Sequence, residues 1–182
     1  ELKDLVEFLK ILNNREKISI IGAGSNTLIT DGVYDGIVIK LGQNFNRLSV
    51  LNSNIIISGT AVLDKKLADF AAKNNLGGFE FLDCIPGTIG GGLKMNAGCF
   101  DREIKDILVS IQAIDKTGNI FTIPAKEINF EYRNNDLSEE LIFLSASFKG
   151  KELDEKKIRE LMYKLKVKKD INQPTRVKTS GS

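Results

Sequence analysis

IPGTIGGGLKMNAG, residues 85–98, is the stretch on which the reading of this chain turns. Pro86 is followed by Gly87, Gly90, Gly91, Gly92 and Gly98, and Lys94 carries the only charge. Glycine loses more conformational freedom on folding than any other residue, so this concentration needs a physical reason. Two compete. A Gly-rich helix can pack closely on a sheet. Alternatively, a face without side chains lets a ligand lie against bare backbone. Pro86 suits the first position of a turn or a helix start, and a helix beginning near Thr88 would aim free N–H groups at a phosphate.

A second glycine loop lies upstream. IGAGSN, residues 21–26, directly follows the apolar run KISII. Gly22 and Gly24 let backbone N–H groups approach an anion, with Ala23 between them, and Ser25 and Asn26 add side-chain donors. A dinucleotide fingerprint of the Rossmann type does not fit. Thr27 stands where its third glycine belongs, and the following TLITDGVYDGIVIKL reads as turn and strand rather than helix. A Walker loop fails because no Gly-Lys-Ser/Thr follows. A tight turn between two strands accounts for this loop alone equally well. Two such loops in one small domain favour an extended ligand with two phosphates, held in two cradles.

Composition bounds the rest. The 182 residues suffice for one compact domain or two small ones, and 42% hydrophobic with 27% charged content is ordinary for a globular chain. A net charge of +2 gives no argument for a nucleic-acid or membrane partner, and no apolar run spans a bilayer. Two cysteines, Cys84 and Cys99, make no disulfide framework, which fits a reducing cytoplasm. Both read as small packing residues. The chain has no histidine. Ser-His-Asp and Cys-His catalysis, histidine-based zinc sites and a histidyl bond to a cofactor are therefore excluded within it. No metal site is expected.

Periodicity places the elements. Leu2, Leu5, Val6, Leu9 and Leu12 predict an amphipathic helix over 2–13. KISIIG (17–22) predicts a buried strand, and GIVIKL (36–41) and NIIISGTA (54–61) two more. Leu63, Leu67, Phe70 and Ala71 mark a helix ended near Asn75 and Gly77. Residues 110–125 predict a hairpin turning at 115–119, residues 141–148 a strand, and residues 151–169 a helix. Helices and strands do not alternate regularly, so the class is α+β rather than a doubly wound parallel sheet.

The loops IGAGSNTLI and GFEFLDCIPGTIGGGLKMNAGCF together resemble the UDP-N-acetylenolpyruvoylglucosamine reductase (UDP-N-acetylmuramate dehydrogenase) family. The shared pattern is Gly-x-Gly-Ser-Asn, then Pro-Gly-x-x-Gly-Gly-x-x-x-Met-Asn-Ala-Gly. The resemblance implies an α+β FAD-binding domain of the vanillyl-alcohol-oxidase (PCMH) type, not a Rossmann domain. It implies non-covalent FAD held by Gly22, Ala23, Gly24, Ser25, Asn26 and Thr27, and by Pro86, Gly87, Thr88, Gly90, Gly91, Asn96, Ala97 and Gly98. It also implies NADPH as reductant, a UDP-sugar enolpyruvate as substrate, and a cytoplasmic monomer serving peptidoglycan precursor synthesis.

Two further matches follow in the family's order. EYRNN (131–135) resembles its Tyr-Arg segment, which makes Arg133 the catalytic arginine; where the family often has Ser, this chain has Asn135. TSGS (179–182) resembles the start of its Gly-Ser-x-Phe motif, which makes Ser182 the proton donor. On this reading residues 1–170 are the FAD-binding domain, with its first strands preceding Glu1. Residues 171–182 lead into a C-terminal substrate domain that carries a catalytic glutamate. The competing expectations are a flavin oxidase or dehydrogenase of the same superfamily acting on another substrate, and a non-catalytic nucleotide-binding module.

Overall fold

The computed structural model describes residues 1–13 and 15–172. The chain opens with α1 (Leu2–Leu12), then β1 (Ile18–Ile20), β2 (Ile37–Ile39), β3 (Leu48–Asn52), β4 (Ile55–Gly59) and α2 (Asp64–Lys73). The short α3 (Ile89–Lys94) follows, then β5 (Leu108–Ile114), β6 (Ile120–Pro124), β7 (Ile142–Lys149) and α4 (Glu155–Asn172). Five strands form an antiparallel sheet in the order β3-β4-β7-β5-β6. The architecture is α+β, as expected.

β7 explains how one sheet carries two cores. Ile142 and Leu144 pack with Leu5, Leu9 and Ile114 in a small cluster beneath α1. Phe143, Ala146 and Phe148 belong to the large cluster with α2, α3 and α4. Successive side chains of a strand point to opposite faces. The register shift between Phe143 and Ser145 inserts the extra residue that returns Ala146 to the Phe143 face. The strand is therefore continuously apolar over Ile142–Leu144 and alternates apolar with polar from Ser145 to Lys149. Ile158 and Met162 of α4 share the large core with α2 and α3, so the C-terminal helix belongs to the same unit as the glycine segment.

The hairpin β5–β6 turns where the sequence places it. Asp115 accepts from the backbone N–H groups of Thr117 at 2.8 Å and Asn119 at 2.9 Å. The Thr117 hydroxyl also donates to it, at 2.7 Å. That hydroxyl foremost, with the donors of Asn119 and the Thr117 backbone, favours the ionised carboxylate and draws Asp115 down to about 2. Two expectations need correction. KISIIG is not a buried strand: only Ile18–Ile20 is extended, it is partly exposed, and it pairs in parallel with β2 in a separate two-stranded sheet. The edge strand β3, LSVLN, was not expected, because four of its five residues are exposed and show no apolar alternation.

Gly59, at the end of β4, lies against the backbone of Phe45 so closely that a Cβ there would collide with the Phe45 carbonyl. Backbone cannot rotate aside as a side chain can. Gly59→Ala should cost at least about 2 kcal/mol, read as a lowered midpoint of urea unfolding.

Candidate functional site: two glycine loops and an arginine hairpin

The two glycine loops, more than sixty residues apart in sequence, meet in space. The Ser25 hydroxyl donates to the Pro86 carbonyl at 2.7 Å. A Cβ on Gly22 would run into the Thr88 hydroxyl, and a Cβ on Gly87 would lie 3.5 Å from the Ser25 Oγ. Glycine at 22 is thus what lets one loop lie on the other, while the Gly87 position is in ordinary contact with Ser25. Gly24 sits in the left-handed region at φ +72° with nothing within 4 Å of its missing side chain, and Gly91 is nearly as open. Ala23, Ser25, Asn26 and Thr27 are exposed beside it. The same loop runs into Leu28, 95% exposed, and Ile29, 75% exposed. Bare backbone next to uncovered apolar side chains suits a ligand that combines phosphates with aromatic rings.

The remaining glycines of the opening stretch answer to the protein itself. A Cβ on Gly90 would press on Thr60 at 3.1 Å, one on Gly92 would press on Ile104, and one on Gly98 would strike the Arg102 carbonyl. These close approaches seat α3 on the sheet and close the small pairing of Gly98–Cys99 with Arg102–Glu103. Close packing therefore accounts for Gly90, Gly92 and Gly98, whereas Gly24 and Gly91 face open space. Asn96 also faces inward. It is fully buried at φ +39°, donates from its amide to Glu103 and to the Glu131 carbonyl, each at 3.1 Å, and accepts from the Lys105 N–H. Ala97 is half-buried, packed beside Gly92.

Arg133 stands at the tip of a small hairpin in which Phe130–Glu131 pairs with Asn134–Asn135. Its backbone is left-handed, φ +57°, an uncommon conformation for a non-glycine residue. The guanidinium lies 5.2 Å from the Tyr132 ring centroid and donates to the Gly98 carbonyl at 3.3 Å. The structure thus brings the arginine beside the far end of the second glycine segment. Both Tyr132 and Arg133 are exposed, open to a ligand above the loops.

Sequence reasoning missed how that hairpin is held. Asn135 is buried; its amide donates to the carbonyls of Leu93 at 3.1 Å and Lys94 at 2.9 Å, and its Oδ1 accepts from the Leu137 N–H. It caps the last turn of α3 from outside the helix and ties the arginine hairpin to the glycine segment. A hydroxyl offers one donor where this amide uses two. Asn135→Ala should cost about 1–3 kcal/mol of stability, because buried carbonyls lose their donors. Loss of substrate turnover beyond that expected from unfolding would register displacement of Arg133; a variant as stable as the parent would remove the anchor.

Cys84 and Cys99 come into contact, thiol to thiol. Burial pushes Cys84 up to about 11 and raises Cys99 too, so both stay protonated and serve as packing groups. The Lys169 ammonium donates to the Cys84 carbonyl at 2.6 Å, tying α4 to the segment that enters the second loop. Asp64, at the first turn of α2, lies behind Gly87. It is fully buried, and neither carboxyl oxygen has a hydrogen-bond partner among the described residues. Burial alone raises its pKa to about 7. Because the folded state binds the proton more tightly than the unfolded chain does, this group lowers stability progressively as pH rises from about 4 toward 7. Ser182 lies outside the described residues.

Fold and site together define an α+β flavin-nucleotide domain in which two glycine loops, neither of them a Rossmann turn, form one surface. Residues 1–124 match the FAD binding domain family, and the chain belongs to it. It is 64% identical, over its full length, to the UDP-N-acetylenolpyruvoylglucosamine reductase of Pelagibacter ubique, and 44% identical over 99% of its length to that of Rickettsia felis. It spans 60% and 61% of those proteins, respectively. The crystal structure of the corresponding Thermus caldophilus reductase superposes over 93% of this chain and 60% of its own, with a TM-score of 0.80 at 26% identity. A carbon monoxide dehydrogenase from Hydrogenophaga pseudoflava shares the fold alone, TM-score 0.62 at 12% identity over 83% of this chain and 57% of its own.

Proposed function

We propose that the protein is a UDP-N-acetylenolpyruvoylglucosamine reductase, using NADPH to convert the enolpyruvyl ether of UDP-N-acetylglucosamine to UDP-N-acetylmuramate. The observation that carries this reading is the 64% identity to the Pelagibacter ubique reductase over the whole chain, a span that includes both glycine loops and the arginine hairpin. The residues present fit FAD: bare backbone at Gly24 and Gly91, loops in contact through Ser25 and Pro86, and uncovered apolar groups alongside.

Bound FAD supplies the capacity to accept a hydride from NADPH and pass it to a carbon acceptor. The chain's own residues hold and polarise. The loops 22–27 and 86–91 would hold the diphosphate with N–H groups freed by glycine. Hydride addition beside the substrate carboxylate leaves negative charge on an enolate-like carbon framework. Arg133, planar and permanently charged, would stabilise that charge where it develops. Tyr132 orients the guanidinium by stacking. Ser182 would return a proton to the adjacent carbon, given surroundings that activate its hydroxyl. The reaction is assigned to the cytoplasm and to a monomer; no described helix is long and apolar enough to cross a membrane.

The test is direct. The intact purified protein should be yellow, release its flavin on denaturation, and oxidise NADPH only when the UDP-sugar enol ether is present. A yellow protein without that substrate-dependent oxidation would reject the reductase and leave a flavoprotein of other specificity.

A further inference from the structure

One buried acidic group lies outside the proposed chemistry. Asp64 is fully buried against the inner side of the second glycine loop. One of its oxygens is 3.0 Å from where a Gly87 Cβ would sit, and the other is 3.3 Å from the corresponding position on Gly92. The same Gly87 position is 3.5 Å from the Ser25 hydroxyl, so this carboxyl stands directly behind the point where the two loops meet. Neither of its oxygens receives a hydrogen bond among the described residues. A buried carboxylate without donors or a cation is costly, whereas the neutral acid avoids the charge penalty and gains an O–H donor.

We propose that Asp64 is a working member of the FAD site in its carboxylic acid form, so that wherever Asp64 is ionised in the free protein, binding the flavin dinucleotide takes up a proton there. The bound diphosphate brings negative charge to the outer side of the loop that Asp64 backs. An ionised Asp64 would oppose it across a single glycine. The protonated acid does not, and it can donate to a loop carbonyl as the loops close on the ligand. FAD and the proton at Asp64 therefore bind cooperatively, by thermodynamic reciprocity.

Other charged groups around this site are already engaged. On α2, Lys65 reaches Asp83 at 4.0 Å. On α3, Lys94 donates to the Ser138 carbonyl and faces Glu139. In the segment holding Ile104, Glu103 pairs with Lys105 and Arg102 with Asp106. On α4, Lys169 is bonded to the Cys84 carbonyl. None of them sets the proton affinity of Asp64, which burial alone raises. The chain has no histidine, the side chain that ordinarily titrates near neutrality.

The experiment uses the intact protein stripped of flavin, with FAD affinity followed by quenching of flavin fluorescence from pH 6 to 9. The Kd should stay level below about pH 7 and then rise with a slope approaching tenfold per pH unit. In Asp64→Asn, which mimics the neutral acid, the Kd should be level throughout. A level Kd in the parent protein, or the same slope in Asp64→Asn, would overturn the proposal. Should the variant fail to fold, infrared difference spectra of the parent protein at pH 8 decide. FAD binding should bring up a protonated-carboxyl C=O band that shifts with isotope-labelled aspartate; no such band overturns it. No FAD binding at any pH would remove the flavin reading itself, and this proposal with it.

Discussion

Arg133→Ala in the intact protein should slow reduction of the enol ether by about 10²–10³-fold while FAD remains bound, the usual cost of removing one group that stabilises developing negative charge. Arg133→Lys should fall between, since it keeps the charge but loses the planar fork and its stacking on Tyr132. The reaction divides into two halves that can be timed separately. Reduction of the flavin by NADPH should run at the parental rate, and reoxidation by the UDP-sugar should carry the whole loss. Stability should change by no more than about 0.5 kcal/mol, because Arg133 is exposed and its bond to the Gly98 carbonyl is a long 3.3 Å. Its left-handed backbone, φ +57°, is unaffected by either change, so the side chain alone is tested. Parental reoxidation rates in Arg133→Ala would take the arginine out of the mechanism.

Gly24→Val should empty the flavin site, weakening FAD by at least about a hundredfold. Two effects add. At φ +72° a residue with a Cβ incurs strain that glycine avoids, and β-branching makes it worse. The new side chain would also project into the open space beside the loop, where no protein atom lies within 4 Å and where the ligand would approach the backbone. Gly24→Asn separates these effects: asparagine tolerates the left-handed region, so its loss of affinity reports obstruction alone. Bound flavin absorbance after purification is the readout. Full occupancy in Gly24→Val would show that the diphosphate lies elsewhere.

These predictions rest on unequal parts of the sequence. The amphipathic face of α1 and the run of β-branched residues in β4 were legible because local periodicity matches the burial that the fold imposes. The turn at Asp115 was legible because its side chain satisfies the backbone locally. β1 was misjudged. An apolar run looks the same whether or not anything covers it, and only its pairing with β2 in a separate small sheet leaves it half open. Asn135 stood out only as a departure from the family's Ser, and Asp64 gave no signal, because the carbonyls of Leu93 and Lys94 and the glycines at 87 and 92 lie more than twenty residues away in sequence.

By itself the sequence determined the α+β class, the two glycine loops, the family resemblance they carry, and the exclusion of histidine chemistry. All of these follow from residue identity and near-neighbour spacing. Only the tertiary structure decided which glycines are closely packed and which stay open, that Ser25 joins the two loops, and that Asp64 is sealed behind them. Each of those depends on the distance between segments far apart along the chain, set when the antiparallel sheet brings β4 beside β7 and seats α3 against Thr60.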